Sequence, residues 1–289
     1  MKKTTLAAGA LAFAALALAG CASAPAGPAP TETTTAGSTI RAVGPLDPSC
    51  VSDTVTGSQP ALTSTTIVGA HATDALPTQA RTASIVGRGA DIYVESSPGK
   101  FSATGYQLSS TMPWAPETAV PAVVTGTHSC GLVEVMIPSQ SDDTSIRSAS
   151  AWVPSEQLAP VAEWQTPRTI TVDLSDASLR VAKGDKHELT IGQLVLGGEV
   201  ATPQGMGYVV SEYSDEEAQP WTQGEPILLT SLHTGSSFAE NSGEVGLHYM
   251  SPDADAGAGS NGCVRIPTRD GIRSLEENIA PGDLVVVTE

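Results

Sequence analysis

The sequence predicts a mainly β protein. A β-sandwich-like C-terminal unit with one short helix follows a small all-β domain. Three observations carry this. Gly and Pro together number 49 of 289 residues, a turn-rich composition. Short runs of β-branched and apolar residues recur between Gly, Pro and Ser clusters. No three- or seven-residue period runs through the chain, which excludes collagen and coiled coil. Aromatic residues make up only 4%, so each unit has a small core.

The N-terminus reads as an address. Lys2-Lys3 precedes an apolar run from Leu6 to Ala19. That run is shorter than the ~20 residues of a membrane-spanning helix and suits a signal-peptide core. It closes on Leu18-Ala19-Gly20-Cys21, which resembles the lipobox of bacterial lipoproteins. The resemblance implies a signal peptide over 1–20, a lipid anchor on Cys21, and an exported protein. That protein would be tethered to the outer face of the plasma membrane and face the cell wall. The other reading is a plain secretory signal with an accidental cysteine.

Lys plus Arg number 14 against 31 Asp plus Glu, a net charge of −17. Without residues 1–20, which hold Lys2 and Lys3, the balance is 12 against 31, or −19. Such a surface excludes nucleic acid as a partner, because phosphate binding needs a basic footprint.

Residues 21–82 are rich in Ala, Thr, Ser, Pro and Gly, and no aromatic occurs between Phe13 and Tyr93. This composition buries too little apolar surface to offset its ordering entropy. A flexible linker is expected there, with Cys50 able to staple part of it. Order is expected from Ala83. Ser84–Val86, Ala90–Val94, Leu132–Ile137 and Ala151–Val153 read as short strands of a small all-β domain over 83–163. The element order is similar to SH3-like wall domains, and an Ig-like sandwich is the other form that fits.

The second unit begins near residue 167. Ile170, Val172 and Leu174 alternate with polar residues. Ser175–Ser178 turns the chain, and Leu179 and Val181 continue it as a hairpin. Ile191–Leu196, Met206–Val210 and Ile227–Thr230 read as further strands. Thr268 caps a helix over Arg269–Asn278, and Pro281-Gly282 turns into a last strand, Leu284–Thr288. The acidic stretch Glu212–Glu217 with Trp221 reads as a solvated loop. The alternative is a flap that places Tyr213 or Trp221 over a site.

The chemistry concentrates in two places, Gly246-Leu247-His248 and Ser260–Pro267, with His248 and Cys263 fifteen positions apart. A thiol needs a base or a positive neighbour to act as a thiolate near neutral pH, and imidazole suits that task. Gly262 lets a substrate backbone approach closely. A structural cysteine and a core histidine are the bland alternatives. No His-x-His or His-Glu-x-x-His occurs, so neither a metal nor another cofactor is expected.

Ser260-Asn261-Gly262-Cys263-Val264-Arg265 resembles the Ser-(His/Asn)-Gly-Cys-(Ile/Val)-Arg motif of L,D-transpeptidase catalytic domains, the YkuD-like family. Thr202-Pro203-Gln204-Gly205 looks like its Thr-Pro-x-Gly stretch, and Gly282–Val287 like its terminal strand. The resemblance covers 167–289.

It implies Cys263 as nucleophile, His248 as base, and Ser260 orienting that base. Gly262, Asn261, Arg265 and Tyr249 fall at oxyanion or substrate positions, with Arg265 either holding a substrate carboxylate or bracing its loop. Two departures are Asn261 where His is commoner, and Tyr249-Met250 where Gly-Thr often follows the upstream His. His233 is a rival base, read as structural, and His71, His128 and His187 read as surface residues. With Cys21 lipidated and Cys263 reduced, Cys50 and Cys130 are the disulfide candidates in an oxidising compartment.

The implied function is 3→3 cross-linking of peptidoglycan stem peptides, from a tetrapeptide donor with release of D-Ala. Carbapenems are the expected inhibitors. The alternatives are an L,D-carboxypeptidase using the same cysteine, or a catalytically inactive wall-binding lipoprotein.

Overall fold

The computed structural model describes residues 44–52, 59–235, 243–251 and 259–289. The expected signal peptide, the anchor Cys21 and the chain up to Val43 lie outside the described residues.

Two eight-stranded sheets dominate. The first runs Gln59–Pro60, Lys100–Ser109, Gly89–Ser97, Ala149–Pro154, Leu132–Ile137, Ala122–His128, Arg81–Ala83, with His71–Ala72 beside Ala149–Pro154. Its inner face gathers Ile92, Leu108, Val124, Val133, Val135 and Val153, each on the alternate positions a half-buried strand provides.

The linker expectation fails for residues 44–52 and 59–82. Ala61, Ile67, Ala70 and Ala80 are buried, and Gln59–Pro60 and His71–Ala72 are sheet strands. Small side chains are what a closely approaching segment needs, so a composition poor in bulk here marks tight packing rather than a spacer.

Cys50 and Cys130 form a disulfide across a separation of 80 residues. It fastens the segment Leu46–Val51 over Phe101, Leu132 and Trp152. A loop of that length should contribute about 4 kcal/mol by constraining the unfolded chain. Cys130→Ala is expected to lose that amount in urea unfolding under non-reducing conditions; an unchanged midpoint would contradict it. His71 and His128, expected on the surface, join this region. His71 Nε2 lies 2.6 Å from Glu134, and the His128 ring meets Phe101 and Trp152 edge-on.

The second sheet runs Lys186–Ile191, Ser178–Lys183, Thr169–Asp173, Leu284–Thr288, Gly205–Tyr213, Ile227–His233, Glu244–Tyr249, Val264–Ile266. The expected hairpin, helix and last strand are all present. The Thr268 hydroxyl accepts the Gly271 N–H at 3.0 Å and caps the helix Arg269–Asn278. Gly282, at φ +91°, makes the turn that only glycine enters readily. The strand expected at Ile191–Leu196 lies earlier, at Lys186–Ile191.

Ile272 and Leu275 of the helix enter a core with Val172, Val181, Leu228 and Leu247. Glu225, only 4% exposed, accepts Arg269 Nε at 2.6 Å and both Arg273 Nε and Nη2, at 2.8 and 2.7 Å. That bidentate pairing fixes the helix beside the sheet.

The two sheets are not independent. Val123 and Met136 of the first, with Met112 and Val120 from the chain between Ser109 and Ala122, pack with Tyr208, Val210 and Leu284 of the second. Trp114 Nε1 donates to Ser211 Oγ at 2.8 Å across the same seam. His233 is part of it, with Nε2 donating to the Pro138 carbonyl at 3.0 Å, in keeping with its structural reading.

Candidate active site

The site is built by two parallel strand segments. Leu247 pairs with Val264 and His248 with Arg265, so Cys263 arrives beside Gly246. Side chains alternate across a strand. Val245, Leu247 and Tyr249 therefore enter the core, while Glu244, Gly246, His248 and Met250 line a cavity of about 490 Å³. Asn261, Cys263 and Arg265 line it from the neighbouring segment, and Tyr213 and Trp221 from the side.

Cys263 is a free, half-buried thiol. Its sulfur accepts the Gly246 N–H at 3.4 Å and donates to the Glu244 carbonyl at 3.9 Å. Burial pushes the thiol up from its ordinary range. Glu244 adds to this, while the Gly246 N–H and Arg265 oppose it. A Cβ at position 246 would lie 3.3 Å from Ile227 Cγ2, so glycine here avoids crowding the Ile227 side chain at the cavity wall. Gly262 is fixed by geometry too. Its φ is +97°, and a Cβ there would sit 2.3 Å from Thr234 Cγ2.

His248 is 5% exposed. Its Nδ1 lies 3.0 Å from the Tyr249 carbonyl. A carbonyl only accepts, so Nδ1 carries the proton and Nε2 keeps its lone pair. Burial holds the imidazole down at about 4, against the raising effect of that hydrogen bond, with Arg265 lowering it further. The Trp221 ring packs on the imidazole with centroids 4.6 Å apart, tilted by 59°. In this free state thiol and imidazole are two neutral groups on one face, not hydrogen-bonded to each other. Such contacts often tighten only when substrate binds.

Two sequence-based roles change. The Ser260 hydroxyl donates to the Cys263 carbonyl, so it braces the cysteine loop instead of orienting His248. Tyr249 points into the core, and its carbonyl takes the orienting role. The acidic stretch is only partly a solvated loop, since Tyr213 at its start, still in the strand Gly205–Tyr213, and Trp221 beyond it wall the cavity. Ser251 N–H donates to the Trp221 carbonyl at 3.0 Å and ties that wall to the His248 strand. Asn261 and Arg265 stand at the cavity as expected. Glu244 was missed. The alternation of Val245, Leu247 and Tyr249 with residues 244, 246 and 248 is the signal that finds it.

A thiol, a lone-pair imidazole and a glycine-opened cavity on adjacent strands are the parts of a cysteine acyl-transfer site. Residues 167–287 match the YkuD family model, described as the L,D-transpeptidase catalytic domain. The YkuD region thus contains the Cys263 and His248 strands, the capped helix and the last strand. No curated protein matches the chain.

Among solved structures, an L,D-transpeptidase from Mycobacterium smegmatis is similar at 14% identity, over 55% of this chain and 91% of that one, with a TM-score of 0.32. One from Stackebrandtia nassauensis is similar at 21% identity, over 43% and 56%, with a TM-score of 0.32. L,D-transpeptidase 3 from Mycobacterium tuberculosis, solved with a faropenem-derived adduct, is similar at 14% identity, over 55% and 91%, with a TM-score of 0.32.

Proposed function

We propose that the protein is a cysteine acyltransferase that forms 3→3 cross-links in peptidoglycan, anchored through Cys21 and facing the wall. The observation that carries this reading is a free Cys263 lining one cavity with His248, whose tautomer leaves Nε2 as the base, inside the YkuD match. His248 Nε2 takes the thiol proton as the sulfur attacks the amide carbonyl before the terminal D-Ala. Backbone N–H groups of the Gly262-Cys263 turn face the developing oxyanion. The imidazolium returns its proton to the leaving amine, and D-Ala departs. The thioester then passes its acyl group to an amine of a second stem. Carbapenems, which present a strained carbonyl to the same sulfur, are the inhibitors this chemistry selects.

Incubation with a disaccharide carrying a tetrapeptide stem tests the reading. The expected products are free D-Ala and a 3→3 dimer. Tripeptide monomer alone makes the protein an L,D-carboxypeptidase, and no turnover with a folded protein favours a binding lipoprotein.

A further inference from the structure

Glu244 lies where a catalytic thiol would be better without it. Its backbone carbonyl takes the Cys263 S–H, and its side chain lines the cavity two residues before Gly246 and four before His248 on the same strand face. Glu244, Tyr213 and Cys263 line the same cavity, and the Glu244 charge adds to the upward push that burial gives both the thiol and the phenol. Among the described residues it makes no ion pair. Arg265, which also lines the cavity, stands beside His248 in the strand register. A negative charge at the nucleophile opposes thiolate formation and so works against acylation. Its use falls in the second half-reaction, when the cysteine is already an uncharged thioester.

We propose that Glu244 recruits the acceptor as an ammonium and thereby decides between transfer to an amine and loss of the acyl group to water. This rests on the acyltransferase reading above. The acceptor arrives protonated and is held by the Glu244 carboxylate beside the thioester carbonyl. One ammonium proton leaves to solvent. The nitrogen lone pair then attacks the carbonyl carbon, and the C–N bond forms as the C–S bond breaks. The second proton passes through His248 Nε2 to the departing sulfur, which ends as the thiol. Water carries no positive charge and gains nothing from the carboxylate. Glu244 is therefore a specificity residue for the acceptor, distinct from the pair that performs the chemistry.

The experiment compares the unaltered protein with Glu244→Gln and Glu244→Asp. Each is supplied with a tetrapeptide donor and a subsaturating acceptor stem, and the ratio of dimer to hydrolysed tripeptide is read. Glu244→Gln should lower that ratio at least about tenfold, equivalent to about 1.4 kcal/mol of lost acceptor binding, chiefly through the acceptor KM. Glu244→Asp should recover part of it. Acylation by a carbapenem should not slow in Glu244→Gln, because the thiol then ionises more easily. That readout separates acceptor recognition from structural damage.

On the unaltered protein, n-propylamine, an ammonium at neutral pH, should show a lower acceptor KM than aminoacetonitrile, which is uncharged there. An unchanged dimer-to-tripeptide ratio in Glu244→Gln, or equal KM values for the two amines, overturns the proposal while leaving the Cys263 reading standing. Failure of the unaltered protein to form any acyl-enzyme overturns both.

Discussion

Cys263→Ala is expected to abolish release of D-Ala from a tetrapeptide stem while the protein keeps its thermal unfolding transition. The side chain is half-buried, and its sulfur makes only the weak contacts to Gly246 and Glu244 already described. Removing one sulfur leaves a small cavity beside an open groove, a cost of about 1 kcal/mol by analogy with deleted core methylenes. The fold therefore survives and the chemistry does not, since no other described cysteine is reduced. Chromatography of the stem products measures the loss. Retained turnover would transfer the nucleophile's role elsewhere.

His248→Ala should slow acylation by roughly 10²–10⁴, the usual worth of a positioned general base. The pH profile makes this specific. An exposed histidine loses its proton near 6.5. His248, held at about 4 by burial, is already the free base throughout the weakly acidic range. Acylation should therefore rise as pH passes through about 4 and stay level across neutrality. That limb should vanish in His248→Ala; a limb near 6.5 instead would contradict the burial argument.

The same shift bears on stability. The unfolded chain binds a proton at His248 more readily than the folded one. The stabilisation is complete above about 6.5 and is lost as pH falls from there towards about 4. The full span corresponds to about 3 kcal/mol.

How far the sequence reveals this molecule depends on the range of the interactions involved. The helix Arg269–Asn278 and the hairpin from Thr169 are legible because their causes are local. Thr268 caps three residues ahead, and apolar residues alternate over a few positions. Cys263 and Gly262 are legible through the Ser260–Arg265 run, which resembles the L,D-transpeptidase motif.

Trp221 at the site is legible only as the alternative reading of its loop, and its contact with His248 is not. That contact depends on which strand lies beside Ile227–His233, a fact of sheet order. Ser260 illustrates another limit. Its hydroxyl bonds the Cys263 carbonyl three residues on, a local turn contact that the motif alone does not show. Residues 59–82 mislead by composition. Alanine signals a weak drive to collapse in isolation, yet Ala61, Ala70 and Ala80 are small enough to lie flush against a sheet that the rest of the chain supplies. His71 and His128 look like surface residues until the Cys50–Cys130 bond brings their neighbours together.

The central claim is that Cys263 carries an acyl group covalently. Intact-protein mass spectrometry after brief exposure to a carbapenem, followed by peptide mapping, tests it most directly. One adduct per chain is expected, on the peptide holding Asn261-Gly262-Cys263 and lost in Cys263→Ala. A folded protein that stays unmodified, or carries its adduct on another residue, would contradict the account.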